Sequence, residues 1–105
     1  MAQRIVFQVT TPLGYRVVLT RNRWREIVRF KHPGVAQYRN EVRQCLRAPD
    51  RIRSSAKDAD VHLYYLELDN RHLCVVVADG EAEECFVVTA YLTKRVKQGD
   101  EIWTK

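Results

Sequence analysis

Residues 84–95 read ECFVVTAYLTKR, and their alternation constrains the fold more than any other stretch of the chain. Successive side chains of an extended strand point to opposite faces of a sheet. Phe86, Val88, Ala90 and Leu92 therefore share one face, and Val87, Thr89, Tyr91 and Thr93 the other. The first face asks for a core. The second is polar enough to meet solvent or to line a binding surface.

Similar patterns run through the whole C-terminal half. Arg51–Ser55, Val61–Leu68, His72–Ala78 and Cys85–Thr93 read as strands, parted by short polar breaks. Together they predict an antiparallel meander of roughly four strands. A four-residue Gly80–Glu83 turn would set Asp79 opposite Glu84. Leu73, Val75 and Val77 would then share an apolar face with Ala90, Val88 and Phe86, while His72 would pair with Tyr91 and Cys74 with Thr89. A two-residue Asp69-Asn70 turn would bring Glu67 beside His72, whereas a three-residue turn would bring Leu68 there.

The N-terminal half changes period. Gln3–Thr10 and Tyr15–Leu19 form a hairpin around Thr-Pro-Leu-Gly, in which Pro12 presets a turn dihedral. Thr20 can cap a helix whose Trp24, Ile27 and Val28 face inward, with Arg21, Arg25 and Arg29 on another stripe. Lys31-His32-Pro33-Gly34 interrupts it. Pro33 can then open a second helix with Val35, Tyr38, Val42, Cys45 and Leu46 buried and Arg39, Arg43 and Arg47 outside, ending at Ala48-Pro49-Asp50. The expected fold is α+β over one domain, residues 1–105: an N-terminal hairpin and two helices packed on one face of the antiparallel sheet.

Composition narrows the partners. No apolar run approaches the roughly 20 residues of a membrane span, and the N-terminus shows no signal core, so a cytoplasmic protein is expected. Cys45, Cys74 and Cys85 form no CxxC pair, and three cysteines cannot complete a disulfide framework within one chain. The 18 Lys and Arg exceed the 13 Asp and Glu, giving a formal charge of +5 that suits a polyanion such as RNA.

Motifs for metal, dinucleotide or P-loop binding are missing from the sequence: there is no HExxH or GxGxxG, and His32, His62 and His72 are scattered. No cofactor or metal is expected. The remaining chemistry-bearing types are His, Tyr, Thr, Glu and Arg around one sheet face. Such a set can cleave RNA without metal, a base taking the ribose 2′-OH proton, an acid protonating the leaving oxygen and a cation stabilising the phosphorane. Each residue also has a plainer reading. His32 can simply satisfy a helix connection, His72 and Tyr91 can be cross-strand neighbours, and Thr89 and Thr93 are good strand formers.

VVLTRNRWREIVRFKHPG, EVRQCLRAPDRI, LYYLEL, LCVVVA, FVVTAYLTK and the closing Gly99 to Trp103, taken in order, resemble small bacterial and phage proteins of the barnase, EndoU, colicin and RelE-like nuclease fold. The resemblance implies a metal-independent ribonuclease of toxin or phage-effector type, with RNA as substrate and an antitoxin or immunity protein as a partner. It places His32 at a His-Pro position and Thr89 and Tyr91 on a Thr-Ala-Tyr strand. Relatives of this type commonly carry Trp-x-His-Ile where this chain has Trp24-Arg25-Glu26-Ile27, so Glu26 would either serve as the base or mark a protein that binds without cutting.

The expected catalytic set is therefore His32, Tyr91 and Thr89, with Glu26 and His72 as further acid-base groups. Arg25, Arg29, Arg39, Arg43, Lys94 and Arg95 are expected to bind nucleic acid. The competing expectation is a noncatalytic basic module that holds RNA or a protein through the same sheet face.

Overall fold

In the computed structural model, which describes residues 4–80, 84–97 and 99–105, the strand-forming segments join one seven-stranded sheet. The strands are β1 (Ile5–Thr10), β2 (Arg16–Thr20), β3 (Arg51–Ser54), β4 (Val61–Glu67), β5 (His72–Asp79), β6 (Glu84–Thr93) and β7 (Glu101–Thr104). Their order is β1-β2-β6-β5-β4-β3-β7. The fold is α+β as expected, but the sheet is neither four-stranded nor purely antiparallel. The hairpin β1-β2 does not stand apart: Arg16, Val17 and Val18 run parallel to Glu84, Cys85 and Phe86 and extend the sheet past β6. At the other edge β7 pairs with β3. Both additions occupy backbone edges that a four-stranded meander would have left open. The expected start of β1 at Gln3 lies outside the described residues.

Local chemistry explains the helical segments. Thr20 caps α1 (Arg21–Glu26), its Oγ1 accepting the Arg23 N–H at 3.2 Å. The chain then widens into a π-helical turn, Ile27–Lys31, whose i to i−5 bond runs from the His32 N–H to the Ile27 carbonyl at 2.7 Å. Pro33 ends it, because the residue before a proline is pushed away from helical dihedrals; His32 sits at φ −143°, ψ 76°. Pro33–Tyr38 forms a 3₁₀ segment, and α2 proper starts only at Arg39 and runs to Arg47, so the second helix begins later than Pro33.

Ile27, Val35, Val42, Cys45 and Leu46 press from this helical layer onto Val17, Leu19, Ile52, Tyr64, Leu73, Val75, Val77, Val87 and Ala90. The Tyr64 hydroxyl, in this core, donates to Thr11 Oγ1 at 3.0 Å. Trp24 and Tyr38 are only half-buried.

The β5-β6 register differs from the one inferred from a four-residue turn. His72 pairs with Thr93, Cys74 with Tyr91 and Val75 with Ala90, two residues further along β6. A shift of two keeps every residue on its face, so Ala90 is buried as expected. Between Thr89 and Val87 a bulge breaks the parity. Val87 turns into the core at 1% exposure, whereas Phe86 turns out at 44%. Phe86 and Val88 thus do not lie beneath the helices. Residues 81–83 of the expected turn lie outside the described residues. At the β4-β5 turn, Glu67 pairs with His72 and the Leu68 N–H bonds the Arg71 carbonyl, which makes the turn the two-residue Asp69-Asn70 kind. Among the described residues no helix is long and apolar enough to cross a membrane.

Candidate functional site

The sheet face opposite the helices carries alternate residues of β4, β5 and β6. Leu63, Tyr65 and Cys74 are buried there in a second cluster, against which Val61, Val76, Tyr91 and Val96 pack. Tyr91 pairs with Cys74, and Cys74 with Tyr65. Thr89 pairs with Val76, and Val76 with Leu63. The polar side of ECFVVTAYLTKR is therefore half-sunk in apolar neighbours.

His32 reaches this face because of where its turn sits. β2 flanks β6 only through Glu84–Phe86, and beyond that point the π-helical turn and the 3₁₀ segment pack along β6 instead. The helix break at His32-Pro33 consequently falls beside the far half of β6. The His32 and Tyr91 ring centroids are 5.5 Å apart, the planes tilted by 40°.

His32, Thr89 and Tyr91 line one cavity of about 580 Å³ together with Ser55, Lys57, Val61, Leu63, Val76 and Lys97. Lys97 Nζ lies 5.2 Å from the Tyr91 ring centroid, a cation over an aromatic face. The Lys97 segment is tied down twice: its N–H donates to the Tyr65 hydroxyl at 2.9 Å, and Arg53 Nη1 donates to its carbonyl at 3.2 Å. Arg53 and Arg51 both approach Glu101, at 3.9 and 3.6 Å, which links β7 to the same support.

Two hydroxyl oxygens in this cavity wall, Thr89 Oγ1 and Tyr91 Oη, are buried without a hydrogen-bond partner among the described residues. Burial, and then neighbouring Cys74, push the Tyr91 hydroxyl far above its ordinary range, so it stays protonated. Burial likewise raises the Cys74 thiol, which disfavours a thiolate nucleophile.

The other expected residues are distributed elsewhere. Glu26 is held by Arg23 at 3.6 Å and Lys31 at 3.7 Å and does not line the cavity. His72 lies two cross-strand rows beyond Tyr91, its ring edge-on to Tyr65 at 6.4 Å. Arg25, Arg29, Arg39 and Arg43 are exposed on the helical segments and none of them lines the cavity; Arg39 and Arg43 lie on α2, which packs on the other face of the sheet, whereas Arg29 lies in the turn that leads to His32. Lys94 lines a separate depression of about 870 Å³ where Asp50, Glu67 and Asp69 mix with Arg71 and Lys105. Arg95 is exposed just past β6, where Thr93 Oγ1 accepts its N–H at 3.1 Å. The cations that do line the cavity are lysines, Lys57 and Lys97. Both lie in loops without periodicity, which is why pattern reading missed them; only the polar runs around them offered a signal.

Comparisons of the chain with protein-family models, with curated proteins and with solved structures give no match.

Proposed function

We propose that the chain is a metal-independent endoribonuclease whose reaction takes place in the His32 cavity. The observation that carries this reading is the convergence of His32 and Lys97 on the Tyr91 ring, the first from a helical turn remote in sequence and the second from the loop just past β6. His32 would take the proton from a ribose 2′-OH. The 2′-oxygen then attacks phosphorus, the bond to the 5′-oxygen breaks, and a 2′,3′-cyclic phosphate forms. Lys97 and Lys57 stabilise the charge on the phosphoryl oxygens, and an ammonium or water protonates the leaving 5′-oxygen. Tyr91, with its hydroxyl buried, contributes its ring as the support for His32 and Lys97 rather than a proton. The ordered motifs that resemble the barnase, EndoU, colicin and RelE-like fold support the same activity, with RNA as substrate and an antitoxin or immunity protein as a further partner.

A second reading, a noncatalytic RNA-binding module, is favoured by a specific feature: among the described residues His32 is the only imidazole lining the cavity, and Glu26 is tied up outside it. Incubating the purified protein with total RNA in EDTA and mapping the ends separates the two. Cyclic-phosphate ends that vanish in His32→Ala support the enzyme, while intact RNA with retained binding supports the module.

A further inference from the structure

Arg29-Phe30-Lys31-His32 interleaves cations with an aromatic side chain and leads directly into the cavity. Phe30 is the most exposed large hydrophobic side chain described, at 80%. Arg29 and Lys31 on either side of it are exposed as well. Neither the core nor the second cluster contains Phe30. Its position is not accidental to the site, because it belongs to the π-helical turn that the His32 N–H closes. Two residues of chain keep the Cα atoms of Phe30 and His32 within about 7 Å of each other.

We propose that Phe30 is a stacking platform for one unpaired base of a single-stranded RNA whose phosphate lies at His32. This rests on the reading of the His32 cavity as an RNA site and names the kind of RNA that site takes. Every base offers a flat π-face, and an exposed aromatic between cations meets both the base and the backbone beside it. A duplex hides those faces within its own stack, so Phe30 selects unpaired over paired RNA. A protein-binding patch would need a wider apolar centre. The residues flanking Phe30 are instead basic: Lys31 shares its charge with Glu26 at 3.7 Å, and Arg29 has no carboxylate partner among the described residues, which suits a polyanion.

The test measures binding in EDTA to a 2′-O-methyl oligonucleotide, which cannot be cut, beside a duplex of equal length. Phe30→Ala is expected to weaken single-strand binding by roughly 5- to 150-fold. Duplex binding and Tm should stay unchanged, and Phe30→Trp should restore affinity and show quenched fluorescence on binding. Unchanged single-strand affinity in Phe30→Ala, with wild-type RNA cleavage, overturns the stacking role while leaving the ribonuclease reading intact. Equal losses for single strand and duplex overturn it too. A wild-type protein that binds neither RNA removes both proposals. A wild-type dimer that Phe30→Ala converts to monomer without loss of affinity assigns Phe30 to self-association and overturns the stacking proposal alone.

Discussion

His32 and Tyr91 lie with ring centroids 5.5 Å apart, although one ends a helical turn and the other sits in the sixth strand. If that pair is the centre of an RNA-cleaving site, His32→Ala lowers cleavage in EDTA by about 10² to 10⁴. RNA affinity should stay within a few-fold, since a general base contributes little to ground-state binding. Equal losses in both measurements would make His32 a structural residue. Unchanged cleavage would move the base to Glu26 or His72.

Tyr91→Phe and Tyr91→Ala should separate ring from hydroxyl. Removing a buried hydroxyl that has no hydrogen-bond partner among the described residues leaves no other group orphaned, so Tm in the Phe variant should hold or rise and cleavage should persist. The Ala variant loses the ring under His32 and Lys97, with an expected cost of about 2–3 kcal/mol in chemical denaturation and a loss of cleavage. An inactive, well-folded Phe variant would give the hydroxyl the acid's role after all.

Tyr65 anchors Lys97 through the bond that its hydroxyl accepts. Tyr65→Phe should cost about 1 kcal/mol and weaken RNA binding by freeing the Lys97 segment. Lys97→Gln should weaken RNA binding without the stability loss. Indistinguishable binding by both variants and wild type would remove Lys97 from the site.

Arg39 and Arg43 offer a contrast, because they lie on the helical layer across the sheet from the cavity. The double Gln variant should cut a short oligonucleotide at the wild-type rate. For long RNA it should lower the slope of log affinity against log salt by about 0.7 per lost phosphate contact. A slower cut on the short substrate would show that these arginines reach the cavity.

Alkaline pH should destabilise the fold. Burial raises Cys85 from 9.0 to about 11, with Asp79 adding to it, and raises Tyr64 and Tyr65 from 10.0 to about 12. The unfolded chain therefore releases these protons first and binds fewer of them as pH rises, so ΔG of unfolding falls with pH. Stability from these groups is intact below about pH 9 and declines between about 9 and 12, which circular dichroism melts across that range would read. A flat Tm from pH 8 to 11 would contradict the burial of all three.

Much of the architecture was written in local chemistry. Alternation assigned β3 to β6, and the spacing of Val42, Cys45 and Leu46 identified the buried stripe of α2, since each element must hide one apolar side whatever its neighbours. Thr20 marked a helix start and His32-Pro33 a helix break, because capping and the missing proline N–H act within a few residues. The pairing of remote edges was decided only by the tertiary structure. Whether β2 would lie against β6, and β7 against β3, depends on which edges are left open once the sheet assembles, and short strands such as Glu101–Thr104 carry too little pattern to announce it. The bulge that exchanges Phe86 for Val87 is likewise a product of packing: Val87 fills the core beside Val77, and no period in the sequence encodes a single extra residue. The same division runs through the site. His32, Thr89 and Tyr91 were legible as residue types, but Lys57 and Lys97 join them only because loops at one end of the sheet converge in space, and Arg39 and Arg43 are carried to the opposite side by the helix that had to bury Val42, Cys45 and Leu46.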